Sequence, residues 1–137
     1  MSQQPQRVQP PVNKRVVAVG LDPRTLDYSK MSPEIDRETL IARVDAAGDA
    51  MREAGFDGVQ CLVEPSPDAA EAVLRECLEK ESFGLAMIGG GVRMMPEHTL
   101  LFERLVNVLT EVVPGIRFCF NTSPEDTLAA VRRWMDS

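Results

Sequence analysis

Four short apolar runs, at 16–20, 59–63, 85–88 and 116–120, punctuate the chain, and each is followed by a stretch whose apolar residues recur at helical spacing. Strands of four or five residues alternating with helices predict an α/β three-layer sandwich around a four-stranded parallel sheet. Val16-Val17-Ala18-Val19 and Leu85-Ala86-Met87-Ile88 contain no polar residue, as expected of strands covered on both faces. The second run carries Gln60 and the fourth Arg117, and polar residues belong at sheet edges. The expected strand order is therefore 2-1-3-4. In that order the chain reverses direction between the first and third strands, and open α/β sheets bind ligands at such a switch point, outside the carboxyl ends of the strands.

The helices have legible ends. Residues 36–54 place Leu40, Ile41, Val44, Ala47, Gly48 and Met51 on one face, and Gly55 ends the pattern as a glycine beyond a helix should. Ser66-Pro67 opens a second helix running to about Glu81, with serine as cap and proline in the first turn. A third is expected from Pro96 to Val113. Its apolar arc (Leu101, Phe102, Leu105, Val106, Val108, Leu109, Val112 and Val113) is wider than packing on a sheet requires; the surplus either packs on neighbouring helices or forms a subunit interface, the latter being the basis for expecting a homodimer. Ser123-Pro124-Glu125-Asp126 opens the last helix, with Asp126 in the place of the usual glutamate of a capping box. Leu128, Val131, Trp134 and Met135 form its buried side. Residues 1–13 are a Gln- and Pro-rich tail expected to be disordered, and 14–137 form a single domain.

The candidate site is a set of strand ends. After the third strand stands Gly89-Gly90-Gly91, followed by Arg93. Glycines between a strand and a helix either aim main-chain N–H groups at an anion or simply make a tight turn in a crowded place. On the first reading Arg93 adds a charge-assisted bond, and the ligand is small and anionic or nucleotide-like. Neither G-x-G-x-x-G nor the P-loop spacing is present. The other strand ends contribute Gly20, Asp22, Arg24, Glu64, Ser66, Asn121 and Thr122. Residues 22–35 form a connection long enough to be functional. His98, in the first turn of the third helix, is expected at the mouth of the cleft. With Asp22 or Glu64 it is a candidate general acid or base, so a small enzyme stands as an alternative to a binding protein. No nucleophile elbow is present. A non-catalytic interaction module, built on the third helix and the edge of the fourth strand, is the remaining alternative.

A net charge of −6 argues against a broad nucleic-acid face. Cys61, Cys77 and Cys119 are odd in number and without C-x-x-C spacing, which suits reduced core thiols of a cytoplasmic protein. A single histidine makes a metal site unexpected, no secretory signal is evident, and no stretch is apolar and long enough to span a membrane. The cofactor, if there is one, is not specified.

The predicted architecture is flavodoxin-like, or more broadly Rossmann-like. It resembles the response-regulator receiver domain in order of elements, but the acidic pair, phospho-accepting aspartate and later lysine of that family have no counterparts. A flavin-phosphate loop is likewise poorly matched by Gly20-Leu21-Asp22-Pro23. Over residues 15–134, Ile88-Gly89-Gly90-Gly91-Val92-Arg93 and Arg117-Phe118-Cys119-Phe120-Asn121-Thr122-Ser123-Pro124-Glu125-Asp126-Thr127 resemble phrases of a group of small bacterial and fungal flavodoxin-like proteins without an assigned activity. That resemblance implies the fold and transfers no catalytic residue.

Overall fold

The computed structural model describes residues 8–135. Its strands are β1 (Arg15–Leu21), β2 (Asp57–Val63), β3 (Leu85–Ile88) and β4 (Arg117–Phe120). They form one parallel sheet in the order β2-β1-β3-β4, as the placement of polar residues predicts. Helix α1 (Arg37–Glu53) follows β1, α2 (Pro67–Lys80) follows β2, a single helical turn α3 (Gly90–Arg93) and then α4 (Thr99–Val112) follow β3, and α5 (Thr127–Arg132) closes the chain.

Alternation along the strands divides the core in two. Val17, Val19, Cys61, Val63, Ala86 and Ile88 face α2 and α4, where they meet Ala70, Leu74, Leu101, Leu105 and Leu109. Val16, Ala18, Leu85, Met87 and Cys119 face α1 and α5 and meet Met51, Ala130 and Val131.

The capping chemistry holds in detail. Asp36 accepts from the Thr39 N–H at 2.8 Å and Ser66 from the Ala69 N–H at 3.4 Å, each at the start of its helix. Gly55 takes φ 90° just past α1. Asp126 accepts from the Thr122 and Ser123 N–H groups, ahead of α5.

Two sequence expectations shift. The third helix starts where Pro96 places it, as a 3-10 turn at Pro96–His98 that runs into α4, but the glycine stretch ahead of it is a separate helical turn rather than a plain loop. And Leu40, Ile41, Val44 and Ala47 of α1 are only half-buried; Gly48 and Met51 alone in that helix are fully covered. Of the expected tail, residues 1–7 lie outside the described residues. Within the remainder, the Gln9 carbonyl accepts from Arg117 Nε at 2.6 Å. The Asn13 side chain accepts from Gly84 N–H at 2.9 Å and donates to the Ser82 carbonyl at 3.1 Å. At the open edge of β4, Arg133 donates to the outward-facing carbonyl of Phe120 at 2.7 Å, which blunts that edge against strand pairing. No helix among the described residues is long and apolar enough to cross a membrane.

Candidate functional site

The register of the sheet explains why a cleft opens on the α1/α5 face. Three rows of side chains cross that face. Gly58, Val16 and Leu85 lie lowest and Gln60, Ala18 and Met87 next. In the top row Leu62 stands beside Gly20, and Gly89 follows Ile88 out of β3, its N–H donated to the Val19 carbonyl at 2.8 Å. The two middle positions of this row therefore carry no side chain. The N-terminal half of α1 passes above them without closing the gap, which is why its apolar residues stay half-exposed.

The result is a cleft of about 410 Å³ at the carboxyl ends of β1 and β3, within the usual size range of small-ligand sites, about 300–1,000 Å³. Ala18, Gly20 and Gly89 floor it, with Met87 beside them. Leu40, Val44 and Ala47 of α1 form one wall, with Gln60 and Leu62 of β2 beneath it. Thr122, Ser123, Pro124 and Thr127 form the opposite wall, and Leu26, Ile35, Met94 and Met95 surround the mouth. Leu26 and Ile35 arrive there through the long 22–35 connection. Two 3-10 turns capped by Asp22 and Asp27, and a 2.6 Å bond from the Tyr28 hydroxyl to the Pro23 carbonyl, hold it in shape.

The three glycines have different reasons. None has a positive φ; among the described residues only Gly55 and Gly115 do. At Gly90 an added Cβ would lie 2.9 Å from Met94 Sδ and 3.1 Å from the Thr122 carbonyl oxygen, so this glycine permits close backbone approach. Gly91 would meet only the Leu21 side chain, at 3.6 Å. Gly20, on the floor, would meet only Leu62 Cδ2, at 4.0 Å, and needs no special backbone conformation.

Asn121 organises the turn. It is 5 % exposed; its Oδ1 accepts the Gly90 N–H at 2.8 Å and its Nδ2 donates to Thr127 Oγ1 at 2.9 Å. The Thr127 hydroxyl in turn donates to the Pro124 carbonyl at 2.9 Å. Both the Gly89 and Gly90 N–H groups are thus bonded within the protein, and the Val92 N–H bonds to the Gly89 carbonyl. Of the three glycine N–H groups, only that of Gly91 is without an acceptor among the described residues, so the turn offers an anion one such donor rather than a converging set.

Gly89, Gly90, Gly91, Asn121 and Thr122 line the cleft; Asp22, Arg24, Glu64, Ser66, Arg93 and His98 do not. The Arg93 guanidinium donates to the Asn121 carbonyl at 2.6 Å and lies over the Phe120 ring, 5.1 Å from its centre, so it braces the turn from outside. Its Nε is buried without a partner. The half-buried His98 holds Nδ1 3.0 Å from the Gly91 carbonyl, which can only accept, so the proton sits on Nδ1. Asp22 pairs with Arg24 at 3.4 Å and caps its own turn. Glu64 is exposed. The proposed acid–base group is not gathered around the cleft.

Sequence reasoning missed the α1 wall, Gln60 and the methionines. Gly48 was the available signal: it is a notch for Gln60, whose amide would lie 2.9 Å from an added Cβ. Gln60 Nε2 donates to the Val44 carbonyl at 2.9 Å. Among the described residues the one cation lining the cleft is Arg43, and Glu125, next to Pro124 of the far wall, meets it through bonds of 2.9 and 2.6 Å. Hydrogen bonds from that guanidinium hold the Glu125 carboxyl below the usual carboxylate range. Asp126 is held low chiefly by the Thr122 hydroxyl. Among the described residues no cluster of His, Cys, Asp and Glu fits a metal ion.

No protein-family model matches the chain, and no curated protein is detectably similar to it in sequence. The functional reading therefore rests on the site itself.

Proposed function

We propose that this α/β domain is a small-molecule-binding protein whose site is the cleft between α1 and the carboxyl ends of β1 and β3. One observation carries the reading. Gly20 lies at one of the two middle positions of the floor's top row, costs strand stability relative to alanine, and is required neither by its φ nor by any neighbour. What it provides is open space above the sheet at the topological switch point, where α/β folds bind ligands. Gly89 belongs to this site as part of its floor, and Gly90, Gly91, Asn121 and Thr122 as its shaped wall. The expectation of a nucleotide-like compound remains compatible with the size of the cleft. Its anionic part finds little support in the turn, where the Gly89 and Gly90 N–H groups are already paired.

Thermal unfolding against a panel of nucleotides, sugar phosphates, coenzymes and neutral aromatic compounds tests the reading. A compound at about 100 times its Kd adds roughly 2.7 kcal/mol of stability. The expected result is a rise in Tm that disappears in Gly20→Leu, a variant that fills the floor and keeps the fold. A rise that persists in Gly20→Leu overturns the placement.

Self-association is a second reading, favoured by Leu100 at the start of α4, 70 % exposed, and Met94 at the cleft mouth, 57 % exposed. A homodimer joined there becomes monomeric in Leu100→Glu, measured by sedimentation equilibrium. The expected surplus of α4 is smaller than its sequence suggests, since Phe102, Val106 and Val113 pack against the core. The cytoplasmic assignment draws support from three cysteines that form no disulfide.

A further inference from the structure

Resting on the cleft as the binding site, the geometry points to a ligand class: we infer that the cleft takes a neutral molecule with a flat apolar body and a hydrogen-bond donor at one end. Flatness follows from the floor. Gly20 and Gly89 lack side chains and Ala18 has only a methyl group, while Leu62 on one side and Met87 on the other rise higher. A ring lying there stacks against peptide planes below and the α1 side chains above. Neutrality follows from the charges. Arg43 is the only ionisable residue among those lining the cleft, and Glu125 already meets its guanidinium with two bonds. Among the described residues that line the cleft a phosphate would find no unpaired cation, and the Gly89 and Gly90 N–H groups are spent within the protein.

The donor end follows from Gln60. Its amide is fixed in place, because Nε2 is held by the Val44 carbonyl and the flat group lies in the notch left by Gly48. Its Oε1 makes no hydrogen bond among the described residues and is not sealed from solvent, since the only buried side-chain atom left without a partner is Arg93 Nε. A fixed, unoccupied acceptor on a side of the cleft that is otherwise apolar but for the paired Arg43 selects a ligand N–H or O–H. Met94 and Met95 at the mouth suit ligands of varied outline, because their side chains adapt to shape.

The test is a titration of the full-length ¹⁵N-labelled protein, followed by amide chemical shifts, with indole, 1-methylindole and inorganic phosphate as separate probes. Indole is expected to shift the amides of Gly20, Ala47, Gly89 and Gly91. It should bind about tenfold more tightly than 1-methylindole, which lacks the N–H, a difference of about 1.4 kcal/mol. Phosphate is expected to leave these amides unmoved, and Gly20→Leu to abolish the indole shifts. Equal binding of the two indoles overturns the role of Gln60. Phosphate moving the same amides while indole moves none overturns the ligand class and leaves the cleft standing. Indole shifts that map elsewhere, or that survive Gly20→Leu, overturn both the class and the cleft. Because the donor is removed from the probe rather than the protein, loss of the Gln60–Val44 bond does not confuse the result.

Discussion

On the α2/α4 face of the sheet, Val17, Val19, Val63, Ala86 and Ile88 are covered without remainder by Leu74, Leu101, Leu105 and Leu109. Outside this layer, Arg104 of α4 joins Asp68 and Glu71 of α2, and Arg75 of α2 joins its own helix's Glu71 and Glu111 of α4, so ion pairs clasp the two helices. On the α1/α5 face the same strands end in Gly20 and Gly89, and α1 is covered only at Gly48 and Met51. One face uses its apolar surface for cohesion. The other leaves part of it open.

The contrast is broken or sharpened first by truncation. Leu105→Ala, at a site with no exposure, should cost about 2–5 kcal/mol in chemical denaturation. Leu40→Ala, in the half-open wall of the cleft, should cost less than about 1 kcal/mol, because its side chain already faces space. Equal losses would mean that the cleft is closed in solution.

Next come the glycines. Gly90→Val forces a side chain onto Met94 and the Thr122 carbonyl, and should destabilise by about 1–3 kcal/mol. Gly20→Ala should leave stability unchanged or raise it by up to about 1 kcal/mol while weakening the ligand. A destabilised Gly20→Ala protein would show that this glycine is structural after all.

Val16–Val19 and Leu85–Ile88 announced their strands because a doubly covered strand has no polar position, and Gln60 and Arg117 marked the edges that they occupy. Ser66-Pro67 and Asp126 carried helix starts in their own chemistry. Gly90–Arg93 did not read as helix, because glycine is a poor helix former; the bond from its N–H to Asn121, 31 residues away, decides the matter. The periodicity of Leu40, Ile41 and Val44 told which side of α1 is apolar, but not how far that side stands from the sheet. The cleft floor was invisible for a similar reason, since Gly20 and Gly89 become neighbours only through the β1–β3 register.

Thiol labelling gives a kinetic version of the comparison. Burial pushes the Cys119 thiol up to about 12, and burial with a hydrogen bond to Cys77 pushes Cys61 up as well. Alkylation of the native protein near pH 8, followed by mass spectrometry, should therefore modify the half-buried Cys77 first. Cys119, on the face with the cleft, should follow ahead of Cys61. Cys61 reacting before Cys119 would place the looser packing on the wrong side.

The smallest effect concerns the Arg43–Glu125 pair. Its folded carboxyl titrates below the unfolded value, so its contribution is present above the unfolded pKa and is lost as pH falls through the lower folded one. The stability difference between the protein and Glu125→Gln should shrink across that acidic window. It should be slight even at neutral pH, because the pair is exposed. A large difference would make the pair a structural tie across the cleft.

The Asn13 contact has a consequence for how the molecule comes to be made. It joins residues 71 positions apart, and β1, the first strand of the chain, is flanked on both sides by strands that come later. During synthesis from the amino terminus, β1 gains one neighbour when β2 appears and the other only with β3. Val16 to Val19 must wait, uncovered on one edge, until Ile88 has emerged. The order of translation thus sets a period in which the most apolar strand is the least protected, and Asn13 closes it by fastening to the residue just ahead of β3.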